Sequence, residues 1–443
     1  MSKKKHKKRN PQPAQPLVRL SQCMIVKNEE KNIETALSWA KGIAFEQIVV
    51  DTGSTDRTVE IAEKMGAKVY HFEWIKDFAA AKNYAIEQAS GNWIAFLDAD
   101  EYFSREDANK MMGHIRRIQA DPQLRANWLV LHCPWVQVDD EGKASAINEQ
   151  GRVFRNLPTV RYVGRIHEIL SVQSENTVRA DDIAIMHTGY TDAAYEETGK
   201  LNRNIDILRA ELAEKPDDLN LKGYLADSLK SQADEESLAE TESLFREVLG
   251  GGEEVFPALK KRAYMFLMDM RASSAEDLLK REETALKALD EFPGDLDLEY
   301  YYASILNAKG DHRTAWDILQ GCEVKMLRAG SLEDSEVATT KPMLLFNQLV
   351  LAANGLDDVE GVIKYATMTL TADKTQDRVL RPYIATLLKN KVTEEELIGL
   401  LAKLYDYSSP RDLMFIARAA KDCGALNFAR AVMDMASSML EGH

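Results

Sequence analysis

The acidic run Asp98-Ala99-Asp100-Glu101 stands directly after the apolar segment NWIAFL (92–97). Carboxylates at i and i+2 on a turn that closes a buried strand can converge on one hard cation. Mg²⁺ or Mn²⁺ takes such oxygen ligands and shares its remaining positions with substrate phosphates. A solvated turn that caps the next helix is the alternative use of the same residues. A second apolar segment, QIVV (47–50), runs into Asp51-Thr52-Gly53-Ser54-Thr55-Asp56. Its glycine permits close backbone approach, and amides at the start of the following helix attract anions or ribose hydroxyls; a plain strand-to-helix turn has the same sequence. Neither GxxxxGK[ST] nor GxGxxG occurs, so a P-loop and a dinucleotide-binding Rossmann site are unsupported.

Four more sets of residues carry chemical potential. Lys82-Asn83 is either an exposed polar pair or a contact to a nucleobase or phosphate. Arg152 and Arg155, in RVFR, could hold a departing diphosphate through bidentate hydrogen bonds or simply line a hairpin. Glu168, after His167, could act as a general base if partly desolvated. His187 closes the apolar run IAIM. The spacing of these histidines and carboxylates is not HExxH. Cys23, Cys133, Cys322 and Cys423 show no CxxC pair, which excludes a cysteine zinc site or disulfide framework and suits a reducing compartment.

The elements that must position these groups follow from local pattern. Strands are expected at 19–26, 47–51, 67–72 and 92–98, with helices at about 30–41, 56–65 (capped by Ser54 or Thr55) and 77–88. This alternation predicts an α/β domain with an open, mostly parallel sheet and right-handed crossovers. Ligands of such sheets sit beyond the carboxyl ends of the strands. Lys27–Glu30, Asp51 and Asp98 all fall on that edge, which is the principal sequence evidence for a site. Segments 127–138 and 151–155 read as a hairpin whose connection opens with DDEGK; 161–170 and 182–190 complete a domain at 18–198.

Leucine occurs 9 times in residues 1–200 and 38 times in 201–443, so the composition changes near residue 199. The second part (199–443) reads as helix throughout. PDDLNLKGYLADSL (216–229) and PGDLDLEYYYASIL (293–306) match at a shift of 77, and Lys309-Gly310-Asp311 with Ala315 repeats loosely as Cys423-Gly424-Ala425 with Ala429. These are features of irregular tetratricopeptide-like hairpins that stack to bury a shared core.

The chain of 443 residues has a formal charge of −15, a poor match for nucleic acid. Residues 1–17 hold six Lys/Arg and no acid, which leaves −21 for the remainder. This basic tail, extended by its prolines, is expected to be a solvated arm or a weak electrostatic contact to an anionic membrane surface or RNA. No run approaches 18 apolar residues and no apolar segment follows the basic start, so no transmembrane or secretory segment is expected and the reading is cytoplasmic.

CMIVKNEE (23–30), IVVDTGSTDRT (48–58), the run from Trp74 to Asn83, GNWIAFLDADE (91–101), RVFRN (152–156), VGRIHE (163–168) and IMHTGY (185–190) occur in an order that resembles glycosyltransferase family 2, of GT-A fold. The resemblance is to the bacterial subset with a C-terminal tetratricopeptide-like domain, which includes the peptide S-glycosyltransferases of glycosylated bacteriocin maturation. It implies inverting transfer from a nucleotide sugar, usually a UDP-sugar, with Mg²⁺ or Mn²⁺. Carried over, Asp51 would hydrogen-bond uracil or ribose with Glu29 beside it. Asp98 would face ribose or metal, Asp100 would bind the metal, His187 would be a further metal or diphosphate ligand, and Glu168 would be the base. Asp56, Lys82, Asn83, Arg152 and Arg155 would join the donor site. Lys82 stands where many members carry Arg, which keeps the charge but not the planar fork. The helical half would hold a peptide or protein acceptor, or form a homodimer. Two other classes compete: a helical binding scaffold with a transferase domain that no longer turns over, against which the intact DADE and HE speak, and a sugar nucleotidyltransferase. The latter usually opens with a Gly-rich, Arg-containing loop where this chain reads KNEEKN.

Overall fold

The computed structural model describes residues 17–138, 144–188, 199–329, 335–339 and 342–441. Residues 1–16 of the basic tail, the DDEGK connection and Gly189-Tyr190 lie outside the described residues. The chain divides into two compact units, 1–217 and 218–443. The division falls later than the expected 198/199 because helix Lys200–Glu214 belongs with the first unit, where Glu211 accepts from the amide of Arg165 at 3.2 Å and Glu214 pairs with its guanidinium at 2.7 Å.

The first unit opens with β1 (Leu20–Val26), α1 (Ile33–Ser38), β2 (Glu46–Asp51), α2 (Thr58–Lys64), β3 (Lys68–His71), α3 (Phe78–Glu87) and β4 (Trp93–Phe96). It continues with β5 (Glu101–Phe103), α4 (Arg105–Ala120), α5 (Pro122–Asn127), β6 (Val130–Val138), β7 (Ala144–Arg155), β8 (Tyr162–Val163), β9 (Ile169–Leu170), β10 (Thr177–Arg179) and β11 (Ile185–His187). The sheet order is β3-β2-β1-β4-β7-β6-β11-β5, with β10 also on β6. Only the first four strands form the expected parallel array. Beyond them the sheet is mixed: β7 is antiparallel to β4 and β6, and β11 is parallel to β6 but antiparallel to β5. A hairpin needs only a short connection, whereas further parallel strands would each need a crossover.

Successive residues of β1 point to opposite faces, and each face finds its own cover. Cys23 packs with Ile48, Val50, Ile94 and Phe96 under Ala79, Ala85 and Ile86 of α3. Met24 and Val26 pack with Val49 against Ile33, Ala36 and Leu37 of α1 and Ala62 of α2. Trp93, Ala95 and Leu97 meet Ala108, Met111 and Ile115 of α4. The caps are polar: the Asp77 carboxylate accepts from the Ala80 amide at the start of α3, and Ser104 from Asp107 at α4. At α2 the expected Ser54 or Thr55 cap is absent. The Asp56 carboxylate accepts from the Thr58 amide at 3.0 Å instead, because Ser54 and Thr55 are engaged with Asn28.

In the second unit the matched segments become matched helices. Leu219–Lys230 and Leu296–Lys309 each begin after an aspartate whose carboxylate caps the first turn, Asp218 and Asp295. Gly310 and Gly424 take φ of +87° and +83°, a left-handed turn that glycine adopts without strain, and Ala315 and Ala429 are buried beyond them. Among the described residues no helix is long and apolar enough to cross a membrane.

Candidate active site

The parallel strands deliver their carboxyl ends to one edge, and the loops there are laced together. The Ser54 hydroxyl accepts from the Asn28 amide at 2.9 Å, and the Thr55 amide donates to the Asn28 side chain at 2.8 Å. The Glu29 amide donates to the Thr58 hydroxyl at 2.7 Å, and that of Glu30 to the Asp56 carboxylate at 3.1 Å. Asp56 is thus the clamp between the β1 and β2 loops, its carboxyl held low by hydrogen bonds from Thr58 and Glu30 that outweigh its burial. Asp51, buried at the end of β2, accepts from the amides of Gly53 and Ser54 at 3.2 and 3.0 Å and lies 3.4 Å from His71. Gly53 has φ of +108°, so the turn that presents these amides favours glycine. Val26 pairs with Asp51, and Cys23 with Phe96. Asp51 thus ends β2 on one side of β1, and the 98–100 turn follows β4 on the other. Burial lifts the Glu29 carboxyl above its ordinary range; the Asn32 hydrogen bond opposes the rise, and the charges of Asp100 and Asp98 add to it.

After β4 the chain turns sharply. The Glu101 amide donates to the Asp98 carbonyl, and the Asp98 amide donates to the Glu101 carboxylate, both at 3.0 Å. The two aspartates then part company. Asp98 is claimed by cations on both oxygens, Lys82 Nζ at 3.3 Å and Arg152 at 2.8 Å. Burial alone would raise its carboxyl, but Arg152 and Lys82 hold it well below the usual range. Asp100 faces the other way, with Oδ2 3.3 Å from Nε2 of His187, and its carbonyl accepts from the Thr188 amide at 3.0 Å. Glu101, 1% exposed, accepts from Arg152 at 2.6 Å and from the Trp135 indole at 2.8 Å.

Lys82 is the bridge of the site. It is 2% exposed and lies 5.2 Å from the ring centroids of Phe96 and Tyr162. Its ammonium sits 2.6 Å from Glu168. Burial would depress it, but Asp98 and Glu168 more than offset that and hold it above its ordinary value. The same burial pushes the Tyr162 phenol up to about 12. Glu168 is carried on the short β8–β9 hairpin, where the preceding His167 has φ of +51°. A left-handed non-glycine residue costs roughly 1–3 kcal/mol, so surrounding contacts must enforce it. One is the Phe78 amide donating to the Arg165 carbonyl at 2.8 Å. Another is Asn83, whose side chain donates to the Tyr162 carbonyl and accepts from its amide, both at 2.9 Å, as a neighbouring strand would. Asn83 therefore holds the hairpin.

Arg152 and Arg155 are separated by the β4–β7 register. Arg155 pairs with Trp93 at the amino end of β4 and donates to the Arg125 carbonyl at 2.6 Å, outside the acidic cluster. Arg152 lies at the carboxyl end and is committed to Asp98 and Glu101. Sequence reading missed Glu101 as a hub, Trp135 beside His187 and Tyr162 beside Lys82.

Asp98, Asp100, Glu101 and Glu168 set four carboxylates against the two cations Lys82 and Arg152; Asp98, Glu101 and Glu168 share those cations, while Asp100 meets the His187 imidazole. Among the described residues no three His, Cys, Asp or Glu side chains form a group that could hold a metal. A carboxylate and an imidazole with uncompensated charge nonetheless fit a divalent cation that takes its other ligands from phosphate oxygens and water.

Residues 21–122 match the profile of Glycosyl transferase family 2, and this stretch contains Asp51, Lys82, Asp98 and Asp100. A TPR repeat-containing protein of Synechococcus elongatus is 33% identical over 229 residues, 49% of this chain and 54% of that protein. The SPbeta prophage-derived glycosyltransferase SunS of Bacillus subtilis is 27% identical over 199 residues, 44% of this chain and 45% of that protein. The chain thus spans about half the length of these curated relatives. Among solved structures, residues 1–349 of S. aureus TarS, in complex with UDP, align at 15% identity with a TM-score of 0.32, covering 71% of this chain and 93% of that one. The stretch so matched is the part of the chain that supplies the β1, β2 and β4 ends of the site.

Proposed function

We propose that the protein is an inverting glycosyltransferase that moves a sugar from a UDP-sugar to an acceptor, with Mg²⁺ or Mn²⁺ at the donor diphosphate. The observation that carries this reading is the juxtaposition at one sheet edge of the Asp100–His187 pair, 3.3 Å apart, with Glu168, held 2.6 Å from Lys82 beside Asp98. Asp51 and the amides it orders face the nucleoside end, and Asp100 and His187 would hold the cation. When bound, the cation supplies neutralisation of charge developing on the departing diphosphate. Glu168 accepts the proton of the attacking hydroxyl or thiol. The acceptor atom bonds to the anomeric carbon from the face opposite the diphosphate, whose oxygen leaves with the bonding electron pair. One displacement inverts the configuration, and general-base help is typically about 10²–10⁴-fold. Lys82 keeps Glu168 at the hairpin tip and ties it to Asp98. A peptide or protein is the acceptor class we assign to the helical unit, because stacked helical hairpins offer surfaces suited to extended chains. The test is UDP release from a panel of UDP-sugars with Mn²⁺ or Mg²⁺. Asp100→Ala is expected to remove that turnover, and wild-type-like turnover in the variant would overturn the cation assignment.

A further inference from the structure

Trp135, on β6, is tied to the site at both ends of its side chain. Its indole N–H donates to Glu101 at 2.8 Å, and its ring lies on the His187 imidazole with centroids 4.3 Å apart and planes tilted by 30°. The contact is built by strand register: β11 sets Ile185 beside Trp135 and His187 across from Glu101. Glu101 is itself fixed, 1% exposed and bound by the Asp98 amide at 3.0 Å and by Arg152 at 2.6 Å. The indole cannot swing away without stripping a donor from a buried carboxylate, a costly exchange. The imidazole is therefore confined between this ring and Asp100, 3.3 Å from Nε2.

We propose that Trp135 is the positioning residue for His187: clamped by Glu101, its ring fixes the imidazole plane so that Nε2 faces Asp100 and the pair is preset for a divalent cation. The inference rests on the reading of Asp100 and His187 as the cation-holding pair. Groups that orient a metal-ligating histidine typically change metal affinity roughly 10–100-fold when removed.

The experiment titrates Mn²⁺ calorimetrically into the full chain with UDP present. Trp135→Leu, which removes both the ring and the Glu101 clamp, is expected to weaken Mn²⁺ binding roughly 10–100-fold, while Trp135→Phe, which keeps a ring face but loses the clamp, is expected to lose less. Unchanged binding in the Leu variant, or equal losses in both, overturns the proposal. A second measurement reads proximity rather than affinity. Mn²⁺ is paramagnetic and quenches nearby indole emission, whereas Mg²⁺ does not. Of the six tryptophans, Trp135 should supply a Mn²⁺-quenched component that disappears in Trp135→Phe and in His187→Ala. The same quench in wild type and Trp135→Phe also overturns the proposal. Wild-type protein that takes up no Mn²⁺ in the presence of UDP removes the cation reading and this inference together. Normal uptake with an indifferent Leu variant removes only the role of Trp135.

Discussion

Replacing Lys82 with Met tests the bridge on which the site depends. Lys82 is 2% exposed, and its ammonium lies 2.6 Å from Glu168 and 3.3 Å from Asp98. Removing one partner of a buried ion pair costs about 3–5 kcal/mol, because the remaining charges stay desolvated. Met preserves the apolar contacts with Phe96 and Tyr162, and the Asp98 side chain is 38% exposed, so water answers part of the loss and the lower figure of about 3 kcal/mol applies. For a unit of 217 residues, each kcal/mol moves the melting temperature by about 2–4 °C, which gives a drop of about 6–12 °C. The Lys82 ammonium is raised above its unfolded value, so its contribution is complete below that value and fades only as pH climbs through the folded one. Asp98 is depressed, so its contribution is present above its unfolded value and disappears as pH falls toward the folded one. The deficit of Lys82→Met should therefore be flat between about pH 5 and 9 and shrink below about pH 4. Calorimetry of wild type, Lys82→Met and Lys82→Met/Glu168→Gln decides the matter. The double variant should recover part of the loss, since it removes a stranded carboxylate. A single variant that melts with wild type, or a double variant no better than the single, refutes the charge-bridge account.

Glu168→Gln should retain UDP binding and lose transfer by about 10²–10⁴-fold, measured by calorimetry and UDP release; collapse of UDP affinity would make Glu168 a donor-site residue. Glu46 is buried, which would raise its carboxyl, but hydrogen bonds from Lys68, Ser21 and Ser90 bring it down to about 2 from 4.5. That shift corresponds to about 3 kcal/mol of stability, present above about pH 4.5 and lost as pH falls through about 2. Glu46→Ala should therefore destabilise the sheet unit at neutral pH and flatten its acid unfolding curve, and an unchanged acid transition would contradict this. Arg155→Ala should leave UDP affinity unchanged, because Arg155 is engaged with the Arg125 carbonyl at 2.6 Å; a loss of about tenfold would place it in the donor site.

The strand ends and their acidic turns were legible in the sequence because they are written locally. An apolar run that stops at Asp51 or at Asp98-Ala99-Asp100-Glu101 marks its own carboxyl end, and the alternation of such runs with helices fixes the edge on which those ends gather. The matched segments before Leu221 and Leu298 carried their own aspartate caps in the same way. Tertiary structure decided what pairing across strands decides. Arg152 and Arg155 are equivalent in RVFR until β7 is registered against β4, which sends one to the acidic turn and the other to the opposite end. Asp98 and Asp100 look interchangeable until Lys82 and Arg152 reach across from α3 and β7 to neutralise only the first. Asn83 reads as a ligand contact until the hairpin backbone arrives to occupy both ends of its amide. Trp135 carries no signal at all until β11 lays His187 beside it. Propensity and punctuation act over a few residues, whereas register and buried charge pairing join residues separated by tens of positions.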